Sequence, residues 1–173
     1  MRRSDTSPAD QHPDQQAREG KWSLPIQFLP DDAGWVELMR LSPGTRLGLH
    51  RHTGEVHALT LTGERRLNNG RVVRPGDYIP EPAGNVDLWV ATGFEELLVY
   101  AVVKSSVEYL VPHHTVLQRI ATADRRVDYR RWCETVGVPP LSLLGACGSQ
   151  AGRGTSCSVG KHMVRRNMSE NRL

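Results

Sequence analysis

From residue 21 to residue 122 the chain meets turn signals again and again: Asp31-Asp32-Ala33-Gly34, Ser42-Pro43-Gly44, Asn69-Gly70, Arg74-Pro75-Gly76 and Pro82-Ala83-Gly84. Glycine opens backbone conformations closed to other residues, and proline fixes φ and removes a donor, so no long helix passes through such punctuation. The stretches in between are short and rich in Val, Leu, Ile, Trp and Tyr. They predict strands over 34–41, 46–51, 55–61, 64–67, 71–73, 77–80, 86–91, 97–104 and 107–111. Asn69-Gly70 predicts a type I′ hairpin between 64–67 and 71–73, because that turn requires positive φ at both central residues. Short strands joined by tight turns bury their apolar faces as an all-β sandwich or jelly-roll barrel.

After the strands, ADRRVDYRRWCETV at 123–136 reads as one helix, with Asp124 as N-cap and Gly137 as stop. Val127, Trp132, Cys133 and Val136 would face the barrel. The expected organisation is a flexible leader over 1–20, a barrel over 21–122, a helical segment packed on it over 123–145, and a Gly/Ser/Arg-rich disordered tail over 146–173.

Composition removes several classes of function. Lys and Arg number 22 against 19 Asp and Glu, but the arginines are scattered and form no basic stripe, so nucleic acid is not an expected partner. No apolar run approaches the ~18 residues of a membrane span, and the basic start carries no apolar h-region. Cys133, Cys147 and Cys157 are odd in number and lack C-x-x-C spacing, which predicts reduced thiols in a cytoplasmic protein. P-loop, nucleophile-elbow and zincin motifs are missing from the sequence.

His50-Arg51-His52 is the candidate chemical centre. Two residues apart on a strand, both imidazoles share a face about 7 Å apart at Cβ and can converge on one ion. Imidazole suits Fe, Zn, Cu or Ni. On the same parity argument His57 turns away from that face, Trp89 turns inward with Asp87, and the adjacent His113-His114 pair makes a poor chelate. Trp89 either fills core or stacks on a substrate, and Glu81 either fixes its turn or binds substrate. Tyr78 and Tyr100 receive no role, and Arg130-Arg131 belong to the wet side of the helix.

The frame around the histidines is more specific than the pair. Gly44, His50, His52, Val56 and Gly63 follow the spacing G-x5-H-x-H-x3-E-x6-G, with Val56 in the Glu position, and Gly76, Pro82, Gly84, Asp87 and Ala91 follow G-x5-P-x-G-x2-H-x3-N, with Asp87 and Ala91 as departures. The chain thereby resembles the cupin superfamily over about 21–122. The phrasing LHRHTGEVHALTLTGE, GDYIPEPAGNVD and YRRWCETVG resembles its 2,4′-dihydroxyacetophenone dioxygenase-like, ChrR-like branch. That resemblance implies an all-β jelly roll and a non-haem Fe(II) dioxygenase, with no organic cofactor, that uses O2 to cleave a carbon–carbon bond of an aromatic hydroxyketone.

The resemblance further implies four metal ligands: both motif histidines, a Glu before the second motif, and the motif-two His. His50 and His52 match. Asp87 replaces the second-motif His, and the Glu falls at or near Asn68. His50, His52 and Asp87 would form a two-histidine, one-carboxylate triad, with Asn68 as a weak fourth contact and Trp89 and Glu81 beside the substrate. The same ligands would allow Zn or Ni and an isomerisation or hydrolysis. A cupin binding or sensing module with a degenerate metal site is the rival reading. Partners would be a small-molecule substrate and O2, in a homodimer or tetramer that covers apolar strands such as 34–41 and 97–104.

Overall fold

The computed structural model describes residues 20–143, so the expected leader, apart from Gly20, and the expected tail over 146–173 lie outside the described residues. Eleven strands form two antiparallel sheets. One sheet runs β1 (Lys21–Phe28), β2 (Gly34–Leu41), β9 (Leu97–Lys104), β4 (Val56–Thr62) and β7 (Tyr78–Glu81). The other runs β11 (Thr115–Ile120), β10 (Val107–Val111), β3 (Arg46–His52), β8 (Val86–Thr92), β5 (Glu64–Leu67) and β6 (Val72–Val73). Their facing sides enclose a core of Leu41, Leu97, Val99, Ala101, Trp35 and Trp89. This is the expected jelly roll with one helix, α1 (Thr122–Val136).

Two strands escape the sequence pattern, and both lie on sheet edges. β1 contains Pro25, at a register shift between Pro25 and Gln27; an edge strand tolerates a residue with no N–H to give. β11 carries mostly exposed residues, so no alternation marks it. The Asn69-Gly70 hairpin does join β5 to β6, but not as a type I′ turn. Gly70 has φ +84, Asn69 is absent from the positive-φ residues, and Leu67 and Arg71 close a three-residue loop with Leu67 N–H donating to Arg71 O at 2.9 Å. One left-handed glycine after a type I turn matches the strand twist as well as two would.

The helix also differs in detail. Its N-cap is Ala121, and Asp124 sits one turn inside with its carboxylate accepting the Ala121 N–H at 2.8 Å. Gly137 ends it in the left-handed conformation, as expected. The buried face is Thr122, Arg125, Tyr129 and Cys133, and Val127 is half exposed. The cause is a buried charge: the Arg125 Nη2 donates to Glu37 of β2 at 2.5 Å and also to Ser23 of β1, whose hydroxyl in turn donates to Glu37. A guanidinium–carboxylate pair taken out of water has to be matched, and its partner sets the rotation of the helix. Among the described residues no helix is long and apolar enough to cross a membrane.

Removing one half of this pair strands the other. Arg125→Ala is expected to destabilise the protein by about 3–5 kcal/mol, read as the midpoint of urea unfolding. The double variant Arg125→Met with Glu37→Leu is expected to recover most of that loss, because the uncompensated charge goes with it.

Candidate functional site

Strand β3 places the two histidines. Its register against β8 pairs Leu47 with Trp89 and then His50 with Asp87, so one extra residue is inserted on β3 around Gly48. A bulge of this kind bends the strand and re-aims a side chain. Here the Gly48 carbonyl accepts a hydrogen bond from His50 Nδ1 at 2.8 Å, which leaves Nε2 of His50 as the lone-pair nitrogen. His50 and His52 stand edge to face with ring centroids 4.9 Å apart, and both are buried. Burial, the largest influence on each, drives both imidazoles down from 6.5 to about 4. They are neutral near pH 7 and free to ligate.

The cavity they line sits between the two sheets, walled on its apolar side by Met39, Leu47, Trp89 and Val107. Its polar wall holds Glu81, Arg65 and the Glu37–Arg125 pair. Glu81 ends β7, with Oε2 3.3 Å from His52 Nε2 and 3.0 Å from the Asn85 amide that donates to it. Desolvation raises the Glu81 carboxyl above its usual range, against the lowering effect of Asn85 and Arg65. Glu81 thus touches Asn85's side chain rather than backbone N–H groups of its turn.

The other expected residues are placed differently. Asp87 is buried and paired across the ladder with His50, and its charge acts on both imidazoles, while its Oδ1 accepts the Leu88 N–H at 2.7 Å. Asn68 lies exposed in the β5–β6 turn, outside the wall; the hairpin carries it to solvent, and the structure does not bring it to the site. Trp89 faces inward as parity requires, and one side of its ring is occupied by the Arg65 guanidinium 5.0 Å from the centroid. His57 bonds the exposed Tyr78 at 2.5 Å, away from the cavity. His113 and His114 sit in a short exposed turn with left-handed φ.

Arg65 is the site residue that the sequence pattern conceals. Only 2% exposed, it faces inward from β5, and its Nε and Nη2 meet no hydrogen-bond partner. A signal was available, since Arg65 shares strand parity with Leu67, the one apolar residue of β5. Tyr109, half-buried on β10 with its ring 6.2 Å from that of His50, completes the wall.

For a divalent transition metal the donor types fit: two neutral imidazoles and the Glu81 carboxylate. His50 is fully equipped, its second nitrogen held by a carbonyl as ligating histidines are. His52 is not, because its buried Nδ1 has no partner. Among the described residues no three His, Cys, Asp or Glu side chains converge as a ready cluster.

Residues 5–107 match the family described as the ChrR Cupin-like domain. Similar solved structures include an RmlC-like cupin protein from Ralstonia eutropha JMP134, 18% identical over 73% of this chain and 82% of that one, with a TM-score of 0.68. A protein of unknown function with a cupin-like fold from the same organism is 18% identical over 88% of this chain and 100% of that one, at a TM-score of 0.68. The acetylacetone dioxygenase of Acinetobacter johnsonii is 15% identical over 66% of this chain and 78% of that one, at 0.58. The comparison with curated proteins returns no match.

Folding lowers both histidines from 6.5 to about 4, so between those values the unfolded chain binds more protons. The stability they contribute is full above pH 6.5 and is lost as pH falls toward 4, by about 3 kcal/mol per imidazole. The raised Glu81 works in the opposite sense, since a carboxyl whose pKa is raised on folding costs stability as pH rises. Urea midpoints of the metal-free protein are expected to fall between pH 7 and pH 4, with a shallower fall in His50→Asn. A profile flat across that range would refute neutral burial of the pair.

Proposed function

The chain belongs to the ChrR cupin-like domain family, and on that premise we propose that it is a metal-dependent cupin dioxygenase acting on a small oxygenated compound. The observation that carries the reading is the pair of buried, neutral imidazoles beside a carboxylate inside the barrel. His50, His52 and Glu81 are the residues that would hold the metal, with Glu81 in the role first expected of Asp87. A metal there supplies Lewis acidity toward a ketone or enol oxygen and a place for O2. Fe(II) is the ion proposed, with Zn or Ni as the alternatives that the same donors admit.

The chain's own groups do the rest. The Gly48 carbonyl fixes the tautomer and direction of His50, Asn85 holds Glu81, and the apolar wall around Trp89 and Leu47 keeps bulk water from the reacting atoms. The space left for solvent is about 50 Å³, room for about three or four waters. That space favours a small oxygenated compound over an aromatic hydroxyketone. The orphaned His52 Nδ1 favours a second reading, a cupin binding module that works without a metal.

Elemental analysis after anaerobic Fe(II) loading separates the two. Close to one metal per chain is expected, with Glu81→Gln weakening binding more than about tenfold and Asp87→Asn weakening it less. No metal in the loaded wild type would sink the oxygenase reading, and a greater loss with Asp87→Asn than with Glu81→Gln would return the carboxylate role to Asp87.

Homo-oligomers are proposed as well, though through a different edge from the one expected. β2 and β9 are interior strands paired on both sides, whereas β11 ends its sheet with Val116 42% and Leu117 71% exposed. Light scattering is expected to give a dimer or tetramer for the wild type and a monomer for Val116→Glu with Leu117→Glu. A monomeric wild type at micromolar concentration would reject the proposal.

A further inference from the structure

Arginine pairs with carboxylates through the edge formed by Nε–H and the neighbouring Nη2–H, which presents two parallel donors. The protein uses that edge twice on one residue. Arg51 of β3 gives Nε and Nη2 to one oxygen of Glu108 at 2.8 and 2.5 Å. Arg119 of β11 gives the same two nitrogens to the other oxygen at 3.0 and 2.5 Å. Arg65 presents the same edge inside the barrel, 2% exposed, and there Nε and Nη2 have no acceptor.

The groups around it do not fill the gap. Glu37 is matched by Arg125. Glu81 takes its hydrogen bond from Asn85, and Asp87 takes its own from the Leu88 amide. Both carboxylates act on Arg65 through space, but neither reaches it. The Trp89 ring, 5.0 Å beneath the guanidinium, fixes its plane and offers no acceptor in that direction. A buried guanidinium with two empty donors is costly to the fold unless something else supplies the oxygens. Arg65 is one of the residues that line the cavity between the sheets, a space of about 50 Å³.

We propose that Arg65 is the anchor for the carboxylate of a small monoanionic ligand, so that the compound held beside His50 and His52 is a short oxo acid and not a neutral ketone. The inference rests on the reading of this cavity as a small-molecule site and names the class of molecule it takes. In this arrangement a small turn of the Arg65 side chain would bring the Nε–Nη2 edge to the carboxylate, with the remaining carbonyl on the side of the histidines that line the same cavity.

The test is calorimetric titration of the metal-free, full-length protein with pyruvate and with butane-2,3-dione, which has the same number of heavy atoms and an acetyl group in place of the carboxylate. The wild type is expected to bind pyruvate at least about tenfold more tightly than the dione. Arg65→Met is expected to lose that preference through weaker pyruvate binding alone, with no fall in melting temperature, because an unmatched charge leaves the barrel. Arg65→Lys keeps the charge without the fork and is expected to fall between the two. Equal affinity of the wild type for both compounds, or full pyruvate affinity in Arg65→Met, overturns the proposal. If Arg65→Met does not fold, wild-type pyruvate affinity in Arg65→Lys overturns it instead. Metal content of the same variants after separate anaerobic Fe(II) loading keeps this result apart from the oxygenase reading. Arg65-dependent pyruvate binding by a protein that takes no metal leaves the anchor standing and removes the oxygenase. A metal-loaded protein whose ligand binding ignores Arg65 does the reverse.

Discussion

Charges turned into a barrel have to be met by opposite charges, by hydrogen bonds or by a ligand, because little water remains inside to solvate them. Two buried clusters of this protein show the protein-borne solutions. Glu37, Arg125 and Ser23 bind β2, α1 and β1 into one unit. Glu108, buried in β10, takes a fork from β3 on one side and from β11 on the other, and those hydrogen bonds hold its carboxyl below the usual range. Elsewhere on the cavity wall the matching is incomplete: Nε and Nη2 of Arg65 and Nδ1 of His52 have no hydrogen-bond partner. Buried charged and polar groups left open at one concave site give it the polarity of a binding site.

The same place shows how backbone irregularity serves orientation. A regular β3 would keep its carbonyls in the ladder; the extra residue near Gly48 lets one of them turn to His50 Nδ1. That bond decides the tautomer and the direction of the ring before any ligand arrives. Preorganisation by a bulge on a strand held between β10 and β8 is more rigid than the same histidine on a loop would be.

Much of this was legible in the residues. Turn signals every few residues and period-2 apolar stretches mark nine of the eleven strands, and the two that escape are edge strands, where proline and exposed side chains are tolerated. The spacing of Gly44, His50, His52 and Gly63 puts both imidazoles on one inward face. What parity on a single strand cannot say is which neighbours that face meets. Asp87 has the right parity and is buried, and one of its carboxylate oxygens also accepts the next amide, a bond that parity cannot show. Glu81, seen from the sequence as a turn residue, lies at the end of β7 beside His52 because the strand runs one residue further than its pattern suggests.

The sequence by itself therefore determined the class of fold, the order of strands along the chain and the two-histidine face, since each follows from local constraints: glycine and proline at turns, alternation along strands, and spacing within one strand. Tertiary structure alone decided that Glu81 reaches His52, which face of α1 is buried, and that Arg65 lines the cavity. Those outcomes depend on the register between strands far apart in sequence, and on where a buried charge finds its counterpart. A one-residue shift in pairing, such as the bulge on β3, changes them without altering any local pattern.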